Sequence, residues 1–253
     1  MNGEWSKPRT LRVTPHQVTS SIIGTAAAIL LIVASAAAGA GETEWRQLQQ
    51  HAQISFQRQE FQEAERFARE ALLEADSSLG AYHRATEESL EMLALVLRTS
   101  KKPDDALPFA RRLVIVRMRR YGQDDPRTAT ALHQNADVLI ALGQLNAAAE
   151  VQQAALQIFE TKLGPDHYNT AAGLHNLGAI RLAQKRYAEA EGYLRRALAA
   201  KEKTLKPGDL RIAPTLDNLA VALELQGKSL DAQRYKRRAH AIRQAAARGQ
   251  APH

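Results

Sequence analysis

The chain has 253 residues, with 34 Lys or Arg against 27 Asp or Glu, a formal net charge of +7 and only 5% aromatic residues. It contains no cysteine, which excludes disulfide scaffolds, thiol catalysis and cysteine-ligated zinc. The alanine-rich, aromatic-poor composition favours closely packed helix and offers no strand-rich alternative.

Residues 1–17 form a basic segment in which Lys7, Arg9 and Arg12 face only Glu4. An uncharged run follows over 18–41, rich in Ala and carrying Ile22, Ile23, Ile29, Leu30, Leu31, Ile32 and Val33. This pattern predicts a signal peptide or a membrane anchor. Ala34-Ser35-Ala36 and Ala38-Gly39-Ala40 both offer the small-x-small pattern of a signal peptidase site, and the run is also long enough to span a bilayer. Positive charge ahead of it favours a cytoplasmic N-terminus. Everything from Glu42 onward is then expected outside the cytoplasm, either periplasmic or anchored in a bacterial inner membrane.

From residue 42 to 246 the chain repeats itself every 42 residues. Leu79-Gly80, Tyr121-Gly122, Leu163-Gly164 and Leu205-Lys206 align, each before a short polar stretch and a helical pattern. One column reads Ala64, Ala106, Ala148, Ala190, Ala232, a second Leu48, Leu90, Leu132, Leu174, Leu216, and a third Ala52, Ala94, Ala136, Gly178, Ala220. A fixed period of this length is the signature of stacked units, each covering its neighbours rather than one central core.

Within a unit the apolar residues recur at helical spacing, first through Leu174, Leu177 and Leu182 and then through Tyr187, Ala190, Leu194, Ala197 and Leu198. Short breaks at Gly143-Gln144 and Gln184-Lys185-Arg186 fit only antiparallel helical hairpins. Asp125 before Pro126 reads as a helix N-cap, and Gly122, Gly164 and Gly208 permit the exit from the preceding helix. Four full hairpins are predicted at 79–120, 121–162, 163–204 and 205–246, after a shorter one over 43–76. Pro214, shortly after the expected cap Asp209, predicts a last unit whose first helix starts late or is kinked. Residues 247–253 form a tail.

The order Leu174, Leu177, Gly178, Ala190, Ala197 resembles the tetratricopeptide repeat, and the period with "LGPDHYNTAAGLHNLGAIRLAQKRYAEAEGYLRRALAAKEKTL" resembles its kinesin light chain variety. Three positions depart from the pattern: Leu174 where the family places Trp, Pro103 at the place of Tyr187, and Pro214. The resemblance implies an all-α, right-handed superhelical solenoid of stacked hairpins.

No Gly-rich phosphate loop, GxSxG or HExxH pattern is present, so catalysis, metals and cofactors are not expected. His133 and His175 share one column, too far apart to ligate one metal without reaching toward each other. His83 and His167 fall in inter-unit loops, where capping is the ordinary role. What remains is a concave groove lined by the first helix of each hairpin, with Arg98, His133, Gln134, Asp137, His175, Asn176, Asp217 and Asn218 among its exposed positions.

Gln134, Asn176 and Asn218 share a register position, and a side-chain amide both donates to and accepts from a peptide backbone. The resemblance implies that these amides hold an extended peptide; tying neighbouring helices together is the other role open to them. The expected function is a non-catalytic scaffold that binds a protein or peptide in the groove. The alternative is a membrane-anchored assembly or self-association element, with oligomers formed through the convex face. Membrane contact is expected through the N-terminal segment if it is retained. Nucleic acid is not expected, because the late cations Arg234, Lys236, Arg237, Arg238, Arg243 and Arg248 have no interleaved aromatic residues.

Overall fold

A computed structural model describes residues 39–249, and every regular element among them is helical. The helices pair as α1 (39–57) with α2 (Phe61–Glu74), α3 (Arg84–Thr99) with α4 (Pro103–Tyr121), α5 (Pro126–Ala141) with α6 (Leu145–Leu163), α7 (Tyr168–Ala183) with α8 (Tyr187–Thr204), and α9 (Ala213–Glu224) with α10 (Ser229–Ala247). Each helix packs mainly on its neighbours in the chain, and α7 also touches α5 and α9. The array is a tetratricopeptide-like solenoid.

One device closes every hairpin. Gln59, Lys101, Gly143, Lys185 and Gly227, spaced by the repeat, all have positive φ, between 61° and 78°. The following amide bonds back to the carbonyl five residues earlier, as from Lys102 to Leu97 and from Arg186 to Arg181. A left-handed residue carrying that bond is the Schellman stop, which satisfies carbonyls at the end of the first helix and reverses the chain.

Between units the exit glycines Gly80, Gly122, Gly164 and Gly208 have φ between 89° and 106°. Three residues after Gly80, Gly122 and Gly164, and directly after Gly208, the side chains of His83, Asp125, His167 and Asp209 accept from the backbone N–H two residues later. The hydroxyls of Thr86, Thr128 and Thr170 donate to the carbonyls of Gly80, Gly122 and Gly164 at 2.7 to 2.8 Å. Both loop histidines are thus helix caps. Pro103 is harmless because it opens α4, where its missing N–H would have no helical partner. Pro214 is accommodated in the same way. A short 3-10 turn over Leu210–Ile212 delays α9 until Ala213 and puts the proline in the first turn.

The small columns lie at helix crossings. Ala64, Ala106, Ala148 and Ala190 are fully buried and Ala232 nearly so, and Ala52, Ala94, Ala136, Gly178 and Ala220 are buried beneath the leucines. Small residues let helix axes approach until the larger side chains interlock.

The N-terminal end differs from expectation in two places. The described part of α1 includes residues 39–41 of the segment read as 18–41, and a Cβ on Gly41 would lie 2.5 Å from Cβ of Ser78. These residues therefore pack as part of the first hairpin. That hairpin also ends later than 76, because a π-helical turn over Ala75–Leu79 prolongs α2. Trp45 locks it to the second unit, buried and donating from Nε1 to Ser89 Oγ at 2.8 Å. Among the described residues no helix is long and apolar enough to cross a membrane. The signal or anchor segment up to residue 38, and the tail from 250, lie outside them.

Candidate functional site

The first helices α3, α5, α7 and α9 place the predicted groove residues along one side of the array. A concavity of about 210 Å³ lies between α3 and α5, lined by Glu91, Leu95 and Arg98 of α3, Gln134 and Val138 of α5, with Ala110 and Leu113 of α4 as an apolar floor. Arg98 stands exposed at its mouth and makes no ion pair among the described residues.

A buried ionic network shapes this concavity from below. Arg117 of α4 donates from Nε to Glu87 at 2.9 Å and from its guanidinium to Glu91 at 2.7 Å, while the Tyr121 hydroxyl donates to Glu87 at 2.8 Å. Later units place Phe159 and Lys201 where this unit has Arg117. With its charge neutralised by Arg117, Glu91 accepts from Gln134 Nε2 at 2.6 Å. A carboxylate can only accept, so the amide must present its nitrogen there and turn Oε1 away. That oxygen is buried and has no partner among the described residues.

The next unit repeats the arrangement with different partners. Asn176 Nδ2 donates to Asp137 Oδ1 at 2.6 Å, again fixing the amide and leaving its carbonyl oxygen uncommitted. The amides therefore do tie neighbouring first helices together. In doing so they fix the direction of two amide oxygens, Gln134 Oε1 and Asn176 Oδ1. Asn218 is different, because the position matching Asp137 in the preceding unit is Ala179, and Asn218 has no side-chain partner among the described residues.

The two histidines of the groove are set by different neighbours. His133 Nδ1 lies 2.9 Å from Oε1 of the fully buried Gln152 of α6. His175 Nδ1 lies 3.1 Å from Thr215 Oγ1, which already accepts from Lys201 Nζ at 2.8 Å. With one lone pair taken by Lys201, the threonine hydroxyl can donate to His175 Nδ1 when the imidazole is neutral and carries its proton on Nε2. Burial, then the nearby Lys201 and His133, hold the His175 imidazole far below its ordinary range, at about 4. Asp217 leaves the row, since its carboxylate pairs with Arg243 of α10 in its own hairpin.

The structure thus brings Arg98 and Gln134 into one cleft, joins Asp137 to Asn176 and sets His133 near His175, while Asp217 and Asn218 stand apart in the last unit. Among the described residues no group of three or more His, Asp or Glu is placed to hold a metal ion. Sequence patterning missed the Arg117 network and the Lys201–Thr215–His175 relay. The available signal was a basic residue, Arg117 or Lys201, in the column that holds Ala75 and Phe159 in other units.

Two overlapping stretches, 127–203 and 174–245, match the tetratricopeptide repeat family. Similar crystal structures include a Podosopora anserina protein described as a kinesin light chain with nearly identical TPR-like repeats, 22% identical over 80% of this chain and 95% of that one, with a TM-score of 0.66. BtubC (BKLC) from P. vanneervenii is 21% identical over 88% of this chain and 92% of its own, with a TM-score of 0.68. A Rap protein complexed with Competence and Sporulation Factor is 18% identical over 79% of this chain and 54% of its own, with a TM-score of 0.62. No curated protein matches the chain. The chain carries tetratricopeptide repeats over 127–245 in a fixed 42-residue register, and its fold is similar to that of kinesin light chain-like repeat structures.

Proposed function

We propose that the array is a non-catalytic scaffold whose concave face holds an extended peptide segment of a partner protein. The observation that carries this reading is the buried, unpartnered Oε1 of Gln134 in the α3–α5 cleft. A buried acceptor left without a donor costs free energy, typically about 1–3 kcal/mol, and a peptide N–H laid along the groove would satisfy it. Asn176 offers a second acceptor one unit on, at the repeat distance along the same face. Leu95, Val138 and the α4 floor supply apolar contact beneath. The Rap neighbour, complexed with Competence and Sporulation Factor, supports protein or peptide binding by such an array.

The test is selection from a random peptide library with the full-length chain. Wild type enriches a defined sequence, and Gln134→Ala and Asn176→Ala lose that peptide while keeping wild-type helicity. Enrichment unaffected by either substitution sinks the reading. We further propose that the repeats lie outside the cytoplasm, supported by the basic and apolar N-terminal sequence. A C-terminal alkaline phosphatase fusion, which is active only after export, should be active; an inactive fusion that is stably expressed would place the repeats in the cytoplasm.

A further inference from the structure

On the side of the array away from the groove, consecutive second helices are joined by ion pairs at one constant spacing. Asp76, in the turn that prolongs α2, accepts from Arg112 of α4 at 2.7 Å, across 36 residues. Glu160 of α6 accepts from Arg196 of α8 and Glu202 of α8 from Arg238 of α10, each again across 36 residues. The one remaining junction, between α4 and α6, has Met118 and Ala154 at the same two positions.

Without the long polar pair to bridge it, this junction is open. A cleft of about 460 Å³ lies there, with Met118, Leu132, Ala154 and Ile158 in its lining and Asp124 and Lys162 among its polar residues. The apolar surface continues beyond it. Met118 is 42% exposed, Ile115 one helical turn earlier is 52% exposed, and Leu73 at the place of Ile115 in the first unit is 71% exposed. Large apolar side chains gathered on an outer surface mark an interaction site more often than a solvated face. Asp124 and Lys162 are exposed and neither makes an ion pair or side-chain hydrogen bond among the described residues.

We propose that this outer α4–α6 cleft is a self-association site, occupied by the same cleft of a second copy about a two-fold axis. The charges argue for that occupant. One free carboxylate and one free ammonium at the same cleft present no net charge to a strongly acidic or basic partner. A two-fold axis instead sets Asp124 of each copy against Lys162 of the other and satisfies both twice, with Met118 and Ile158 covered between them. Few side chains take part compared with the roughly 20–30 residues per side of a standard interface, so the dimer is weak and depends on concentration. The site is independent of the concave groove and stands or falls separately from the peptide-binding reading.

The test is sedimentation of the full-length chain in mild detergent across the micromolar range. Wild type shifts from monomer to dimer with concentration. The double variant Met118→Glu with Ala154→Arg rebuilds the ion pair seen at the other junctions; it keeps the wild-type melting curve and stays monomeric. Asp124→Lys weakens the dimer at least tenfold, and adding Lys162→Asp restores it. The chain has no cysteine, so Met118→Cys under mild oxidation gives a disulfide-linked dimer and Ala199→Cys, exposed at the place of Ile115 two units later, does not. A wild type that is monomeric throughout, a rebuilt ladder that associates like wild type, or a charge swap that fails to restore what Asp124→Lys loses would each overturn the proposal.

Discussion

Leu194 of α8 packs on the bare backbone of Gly178 in α7, so closely that a Cβ at 178 would lie 2.5 Å from Leu194 Cγ and 2.8 Å from its Cδ2. The other units carry Ala at this place, so the α7–α8 crossing is the one that the full leucine side chain has claimed. Gly178→Ala must push a fully buried side chain aside and should lower stability by about 1–3 kcal/mol, the usual cost of overpacking. Gly192 in α8 is the control. A Cβ there meets nothing within 4 Å, so Gly192→Ala should raise stability by about 0.5–1 kcal/mol through helix propensity alone. Urea titrations of both variants check the opposite signs.

His175 should make the array sensitive to mild acid. Its pKa is held at about 4 in the folded chain by burial and by Lys201 and His133, against an ordinary 6.5. A depressed histidine is neutral in the folded state, so its environment is tolerated fully above the unfolded value. Between about pH 6.5 and 4 the unfolded chain takes up a proton that the folded chain refuses, and stability falls as pH falls. The shift corresponds to an order of about 3 kcal/mol in all. Glu191, held down at about 2 chiefly by Lys228, Arg195 and Gln226 against the opposing effect of burial, loses its contribution only below its own ordinary 4.5. Chemical denaturation at pH 7 and pH 5 therefore isolates the imidazole: wild type weakens over that interval more than His175→Gln does. Equal pH dependence in the two would show that His175 titrates freely in the folded chain.

The period, the hairpins and the small columns were legible because burial at a crossing constrains residue size, and size survives in sequence as Ala or Gly. The Asp125 cap was legible too, since capping depends on residues two or three apart. The groove's polar contacts were not. Gln134 reaches Glu91 and Asn176 reaches Asp137, spacings of 43 and 39, so no single offset reveals them. They depend on which side chains of neighbouring first helices are long enough to meet. The outer ion pairs share the constant offset of 36, and charge pairing at that spacing was a signal in the sequence that a search at 42 passes over.

The hairpin turn offers a substitution of unusual sign. Gly143 and Gly227 take the left-handed position at no steric cost, whereas Gln59, Lys101 and Lys185 hold the same position with a Cβ. The left-handed region costs a residue with a Cβ about 1–2 kcal/mol. Glycine gives back roughly 0.5–1 kcal/mol through the freedom it has when unfolded. Lys185→Gly should therefore stabilise by about 0.5–1 kcal/mol, and Gly143→Ala should destabilise by a similar amount. Thermal melts of the two variants check the pair, and destabilisation by Lys185→Gly would mean that its side chain stabilises the turn by more than the strain costs.

The last unit should be the one that opens first. Its helix α9 spans 12 residues where α3, α5 and α7 each span 16, because Pro214 delays its start. Its second helix has the wrong chemistry to support another unit. Leu194, Leu198 and Lys201 of α8 are buried, and their counterparts in α10 are the exposed Lys236, His240 and Arg243. Two of these cations fold back on α9, Lys236 to Glu224 and Arg243 to Asp217, exposed pairs that contribute little in water. The unit is therefore held by α8 on one side only, and in a stacked array stability falls where a neighbour is missing. Hydrogen exchange should show lower protection across α9 and α10 than across α7 and α8, declining toward residue 247, with the difference shrinking when a groove peptide bridges α7 and α9 beside Asn218. Equal protection in both hairpins of the peptide-free chain would show that the packing of Ile212, Leu216, Leu219 and Leu223, all fully buried, suffices to hold a terminal unit as firmly as an internal one.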